Sequence, residues 1–154
     1  MLSDFTVKFL GYLRAARAAV PFMEAAGWGR IVNVGGLAAR TAGPISAGAR
    51  NAGVVHLTRS LSRELGRAGI TVNAVHPGLT LTDGVRQRLQ RWAEASGLAP
   101  EAMAERLAGD IAIGRLPEPD EVAAVVVFLA SGAASAVTGE VVAASGGAGA
   151  AVHY

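Results

Sequence analysis

Lys8 is the only lysine in a chain of 154 residues, and it stands with Ser46, Arg50, Asn51 and His76 as the set of side chains able to act on a small polar substrate. Ser46 offers a hydroxyl that can orient a carbonyl, and Lys8 or Arg50 can stabilise an oxyanion. His76 lies directly before Pro77-Gly78, and its near-neutral pKa suits acid/base work. Each also has an ordinary reading. A lone lysine can be a solvated helix residue, and a histidine in a strand-end turn is often structural.

The elements that would position these residues follow from hydrophobic spacing. Residues 31–34, Ile-Val-Asn-Val, form a short β-branched run bounded by Gly29 and by Gly35-Gly36, which reads as a fully buried strand leaving through a tight turn. A stretch rich in Gly, Pro and Ser runs on to Gly48. Val54, Leu57, Thr58, Leu61 and Leu65 then recur at helical spacing up to Gly66. Residues 70–75 are again β-branched and apolar, stopped by His76-Pro77-Gly78. Strand, helix, strand in this order predicts a parallel pair with a right-handed crossover.

The same pattern extends both ways. Val7, Leu10, Leu13, Ala16, Val20 and Met23 form an apolar stripe closed by Gly27, which predicts an amphipathic helix over 4–26 with Pro21 marking a kink or an early end. A polar segment over 79–117 carries helical character around 85–95 and 100–107. Pro119-Asp120-Glu121 opens a helix over 121–130, since proline and acidic residues suit a helix N-terminus. Residues 137–143 supply a third strand. The expected fold is α/β, an open parallel sheet of about three strands (30–34, 70–75, 137–143) flanked by helices over 4–26, 50–66 and 121–130, in one domain spanning 1–154.

Composition narrows the function classes. A net charge of +2, with arginines scattered along helices and no basic run interleaved with aromatics, argues against nucleic acid as a partner. With no cysteine there are no disulfides and no thiolate metal sites, and no metal site is expected; the absence fits a cytoplasmic protein. Residues 122–139 carry no charge, yet Ser131-Gly132 and Ser135 divide the run into a buried helix and a buried strand rather than a membrane span. No signal peptide or internal repeat is evident. Gly146-Gly147-Ala148-Gly149 has no helix after it to present free N–H groups to a phosphate, and reads as a C-terminal loop. Arg59, Arg63 and Glu64 read as an exposed helix face, Trp28 and Trp92 as packing residues, and His153 and Tyr154 as a terminal pair that could reach a partner.

Several landmarks together resemble the second half of a short-chain dehydrogenase/reductase. They are Gly29-Arg30-Ile31-Val32-Asn33-Val34, Asn51-Ala52-Gly53-Val54-Val55, Gly69-Ile70-Thr71-Val72-Asn73-Ala74-Val75, Pro77-Gly78 and Thr138-Gly139-Glu140-Val141-Val142. The resemblance implies a truncated Rossmann-like fold, with the glycine-rich dinucleotide turn in a half preceding Met1. It implies an NAD(P) cofactor for the family, with Asn51, Pro77 and Gly78 at vestigial cofactor positions, and a substrate lid at 79–117. The family's tyrosine, lysine, serine and asparagine are replaced: Ala47 or Ala49 falls at the tyrosine position, Asn51 at the lysine, Gly36 at the serine and Lys8 at the asparagine.

Three functions are open on these residues. The chain is an oxidoreductase by descent that transfers hydride only with a second portion supplied; or a non-redox lyase, isomerase or cyclase using Lys8, Ser46, Asn51 and His76 on a small-molecule substrate; or a non-catalytic assembly subunit. By resemblance the strand at 31–34 would have a neighbour from the half that is lacking, and the helices at 4–26 and 50–66 would build the subunit contact. With 51% hydrophobic residues and a mean hydropathy of +0.37, the expectation is a homo-oligomer or a second chain that completes the sheet.

Overall fold

In a computed structural model, which describes residues 2–150, the chain divides into two compact units, residues 1–76 with 125–142 and residues 77–124 with 143–154. A short turn, α1 (Leu2–Asp4), passes through a π-helical stretch, Phe5–Leu10, into α2 (Gly11–Ala26). Then follow β1 (Gly29–Val34), a 3₁₀ turn at Leu37–Ala39, α3 (Ile45–Leu65) and β2 (Ile70–Pro77). After α4 (Asp83–Ser96), α5 (Pro100–Ala108) and α6 (Pro119–Ala130), β3 (Val141–Ala144) closes the order. The sheet is three-stranded and parallel, ordered β1-β2-β3, and Gly29 pairs with Ile70 through to Val34 with Val75.

In the first unit, β2 is buried along almost its whole length because every residue from Ile70 to His76 meets protein. Ile70 and Val72 are 0% exposed and pack with Leu65, Leu61, Val20 and Met23. Full burial of such a side chain contributes about 1.5–3 kcal/mol. β1 differs from the fully buried strand expected: residues 31 and 32 are half-buried and Val34 is 41% exposed. Among the described residues it pairs on one side only. Gly29 and Gly35 donate to Gly69 and Val75 of the β2 side, so by alternation along a strand the backbone groups of Arg30, Val32 and Val34 face the open edge.

Three other boundaries differ from the sequence expectation. The helix expected from residue 50 starts at Ile45, because Pro44 fixes the entry and its carbonyl takes the Gly48 N–H at 3.0 Å. Pro21 lies inside α2, which runs on to a left-handed cap at Gly27. The strand expected over 137–143 forms its ladder only at Val141–Ala144. Ahead of it, Gly139 turns with φ +78°, and side chains add to the backbone bonds Gly139 N to Val72 O and Ala74 N to Glu140 O. Thr138 Oγ1 accepts from Val72 N at 3.1 Å, Asn73 Nδ2 donates to Val137 O at 2.9 Å, and Asn73 Oδ1 accepts from Glu140 N at 3.1 Å.

In the second unit, the helical character expected over 79–117 is α4 and α5. Thr82 caps α4 by accepting from Val85 N, and Pro100 opens α5. Leu89, Ala93, Met103, Ile111 and Leu116 form its core. Glu121 accepts from Glu118 N at 2.8 Å and is paired with Arg115 at 2.7 Å, as suits a helix-start acid. Those partners hold its carboxyl down at about 2. The glycine run at 146–149 is an ordered loop clamped to residues 110–113: Ala112 and Ile113 donate to Gly147 and Gly146 carbonyls, and Ile111 bridges Ala148. Gly147 has φ +77° and a Cβ there would lie 2.7 Å from Ala112 Cβ. Gly147→Ala is therefore expected to lower stability by about 1–2 kcal/mol in urea unfolding.

Candidate functional site

The carboxyl end of β1 is where the sequence-selected residues meet. The strand leaves through Gly35 and Gly36, whose lack of side chains lets three groups close on the backbone. The His76 ring lies against Gly35, so that a Cβ at position 35 would overlap it. The Asn51 amide faces Gly36, its Nδ2 3.5 Å from where a Cβ would stand. The Lys8 ammonium donates to Gly35 O at 3.1 Å.

Each side chain is held by its element. Lys8 rides on the π-helical stretch, a geometry that often marks functional segments. That stretch is fastened to α3 where the Phe9 ring packs on Gly53. Asn51, on α3, is 4% exposed and spends its Nδ2 on Ala47 O at 2.9 Å. His76, at the end of β2, is 0% exposed. Among the described residues, Asn51 Oδ1 and both His76 ring nitrogens are buried with no hydrogen-bond partner.

Electrostatics in this cluster run one way. Burial, then the charges of Arg40 and Lys8, push the His76 imidazole down to about 4, so it is neutral at physiological pH. Burial and the Arg50 charge also lower the Lys8 ammonium from its ordinary value. Arg50 is engaged by Asp4 at 3.6 Å, and Arg40 donates to Val141 O at 2.9 Å. The arrangement supplies a cation, a neutral imidazole with one donor and one acceptor, and an amide oxygen awaiting a donor.

Ser46 is not brought into this group: it lies half-buried in the first turn of α3 and makes no hydrogen bond to Lys8, Asn51 or His76 among the described residues. Pro77 and Gly78 belong to the second unit, where Gly78 N donates to Ala144 O at 3.2 Å. Asp120 and Glu121 are in the first turn of α6. Trp28 is 53% exposed and stacks under the Arg30 guanidinium at 4.8 Å rather than packing in a core. His153 and Tyr154 lie outside the described residues. No group of three or more potential metal ligands occurs among the described residues, and no helix there is long and apolar enough to cross a membrane.

Two residues were missed from sequence. Tyr12 donates to Val34 O at 2.9 Å, beside the Lys8 contact at Gly35, and burial raises its phenol pKa. The signal was there, since Tyr12 follows Lys8 by one helical turn and shares its face. Arg40 had no such signal, because its approach to His76 depends on the path of the loop after Gly36.

Removing the Asn51 amide is expected to change stability by no more than about 0.5 kcal/mol, since Ala suits a helix and the change also removes an unpaired acceptor. Urea unfolding of Asn51→Ala checks this. A dinucleotide fits poorly on the chain's own glycines: the run at 146–149 uses its missing side chains to approach Ile113 and Ala112, and no helix follows it among the described residues.

Comparison with known proteins fits this geometry. A family model described as enoyl-(acyl carrier protein) reductase matches residues 2–149. The chain is 43% identical over 136 residues to the 3-oxoacyl-[acyl-carrier-protein] reductase FabG of Pseudomonas aeruginosa, covering 87% of this chain and 51% of that protein. It is 30% identical over 149 residues to the NADPH-dependent reductase BacG of Bacillus subtilis, covering 96% and 58%. Among solved structures it is similar to YwfH, an NADPH-dependent reductase involved in bacilysin biosynthesis, with a TM-score of 0.86 at 28% identity over 99% of this chain and 61% of that one. It is also similar to a 7α-hydroxysteroid dehydrogenase complexed with NADH and 7-oxo glycochenodeoxycholic acid, with a TM-score of 0.77 at 29% identity, covering 92% and 52%. The chain spans about half the length of the curated relatives it matches. An open parallel sheet with this order, and a match running almost from end to end, place the chain in the short-chain dehydrogenase/reductase family.

Proposed function

We propose that these 154 residues are the substrate side of an NAD(P)-dependent oxidoreductase acting on a small carbonyl or alcohol, and that hydride transfer needs a dinucleotide-binding portion beyond them. The open edge of β1 carries this reading: among the described residues no strand pairs with the side that bears the Arg30, Val32 and Val34 backbone groups, where a further strand can add. The names of its relatives, NADPH-dependent reductases and a dehydrogenase holding NADH, supply the cofactor class. In this reading the 154 residues work as one truncated domain in the cytoplasm, and the family's catalytic tetrad is replaced by Lys8 and His76 with Asn51 beside them. Lys8 stabilises charge on the substrate oxygen, and neutral His76 carries the proton.

The added portion comes from a second chain or a second copy. Phe22, Ile45 and Val7 are 79%, 80% and 75% exposed, large apolar side chains that such a partner can cover. Fluorescence titration with NADPH tests the first part. The expected result is no saturation below about 1 mM with this chain alone, and saturation once a complementing dinucleotide-binding portion is supplied. Binding by this chain alone in the micromolar range overturns the reading. A single compact monomer in sedimentation at micromolar concentration overturns the association.

A further inference from the structure

We propose that β1 pairs antiparallel, edge to edge about Val32, with β1 of a second copy of this chain, and that the pair shuts the edge against any other strand. The pairing uses the open edge on which the reading above rests and goes beyond that reading. One strand at a time can hold the edge, so a copy docked in this way keeps the added portion out.

The first support is that nothing guards the edge. Proteins blunt exposed strand edges with proline, a bulge, a free charge or a covering segment. β1 has no proline, and its register to β2 runs without a bulge from Gly29 with Ile70 to Val34 with Val75. Its one charge is tied back. Arg30 donates from Nε to Ser131 O at 3.2 Å and from Nη1 to Gly29 O at 2.8 Å, and its guanidinium lies over the Trp28 ring at 4.8 Å. Beside the edge stand Ala15, Ala16 and Ala19 of α2, whose small side chains leave a groove of about 400 Å³ against residues 30–34. Among the described residues, only the Tyr12 phenol, on Val34 O, touches an outward group.

The second support is that the edge complements itself. Its outward backbone groups belong to Arg30, Val32 and Val34, with Val32 at the centre. A two-fold axis at Val32 sets that residue against the partner's Val32, and sets Arg30 against the partner's Val34. Each opposed pair can then exchange two N–H···O bonds. The Tyr12 phenols withhold one bond at each end until they are displaced. A parallel strand has no such symmetry, because each of its residues bonds to the two that flank its opposite. The antiparallel pair is closed, and each copy has one β1 edge to give, so association through it stops at a dimer.

The third support is charge. In this register the two Arg30 residues lie at opposite ends of the pair, about 13 Å apart along the strands, where a register that opposed them would set like charges side by side. The centre is left to valine against valine, a β-branched pair suited to cross-strand contact.

The test is disulfide trapping of the full chain. The chain has no cysteine, so Val32→Cys carries a single thiol. The two-fold axis brings that position to about 5.5 Å, Cα to Cα, from its copy, which a disulfide can span. In a glutathione redox buffer Val32→Cys is expected to give at least about tenfold more cross-linked dimer than Val34→Cys. Val34 is 41% exposed and Val32 half-buried, so random collision would give the reverse order. In sedimentation, Val32→Pro, which removes an outward N–H, is expected to raise the dimer dissociation constant at least about tenfold. If circular dichroism shows that variant unfolded, Val34→Lys takes its place. Cross-linking of Val34→Cys as readily as Val32→Cys overturns the pairing. A dimer whose affinity the edge variant leaves unchanged also overturns it, while association through another surface stands. No nicotinamide is present, so micromolar NADPH binding by this chain alone, which sinks the cofactor reading, leaves the cross-link as it is.

Discussion

Asn73→Ala is expected to lose about 3 kcal/mol of stability in urea unfolding followed by circular dichroism. The residue is 0% exposed, and its two side-chain atoms take opposite roles on one loop, donating to Val137 O and accepting from Glu140 N. Truncation leaves a carbonyl and an amide of the approach to β3 without partners, each worth about 1–3 kcal/mol when buried. Solvent can repair part of that, since Glu140 is exposed. A loss under about 1 kcal/mol would mean that the backbone bonds Ala74 N to Glu140 O and Gly139 N to Val72 O hold the loop without help. The contrast with Asn51→Ala is the informative part. Both are nearly buried asparagines with a helix or strand around them, but one bridges two segments and the other leaves its oxygen idle.

Acid is expected to destabilise the fold over a window set by His76. The imidazole titrates at about 4 in the folded protein against 6.5 in the unfolded chain. Its folded value is depressed, so below pH 6.5 the unfolded state takes up the proton first. The stability contributed by keeping His76 neutral is thus fully present above about pH 6.5 and is lost as pH falls toward 4. The size is on the order of 2 kcal/mol, reduced from the full linkage value because the neighbouring cations are partly screened. Comparing wild type with His76→Gln across pH 4–7 isolates the effect from the carboxylates. An identical pH slope in the two proteins would show that His76 titrates in the folded state as it does in the unfolded chain.

How much of this was legible beforehand depends on which force sets each feature. The parallel order of the sheet followed from β-branched runs separated by a helical stripe, since burial dictates both periods. The positions of Lys8, Asn51 and His76 at one strand end followed from the same order, because parallel strands bring their carboxyl ends together. What failed was set by local chemistry that periodicity does not carry. Ile45 joins α3 because one proline fixes the chain's entry, and residues 137–140 stay out of the regular strand because Gly139 turns the chain and Thr138 and Asn73 add side-chain bonds beside the backbone ones. Ser46 lay outside the cluster for the first of these reasons: once the helix starts early, its hydroxyl is in the first turn and not in a loop free to fold back. Half-burial of β1 was hidden by composition, since an apolar run reads the same whether one edge or two are covered.

The phenol of Tyr12 on Val34 O has a consequence for how the open edge can be used. Along β1 the outward carbonyls belong to Arg30, Val32 and Val34, and the last is already taken by a group on a neighbouring helix. A docking strand finds two vacant rungs before it meets an occupied one, and must swing the phenol aside to gain the third. Burial raises the Tyr12 pKa, so the stopper keeps its proton throughout the neutral range and does not loosen in the acid window that governs His76. The edge is therefore graduated: short segments can sample it reversibly, while only a strand that displaces the ring locks in along its full length.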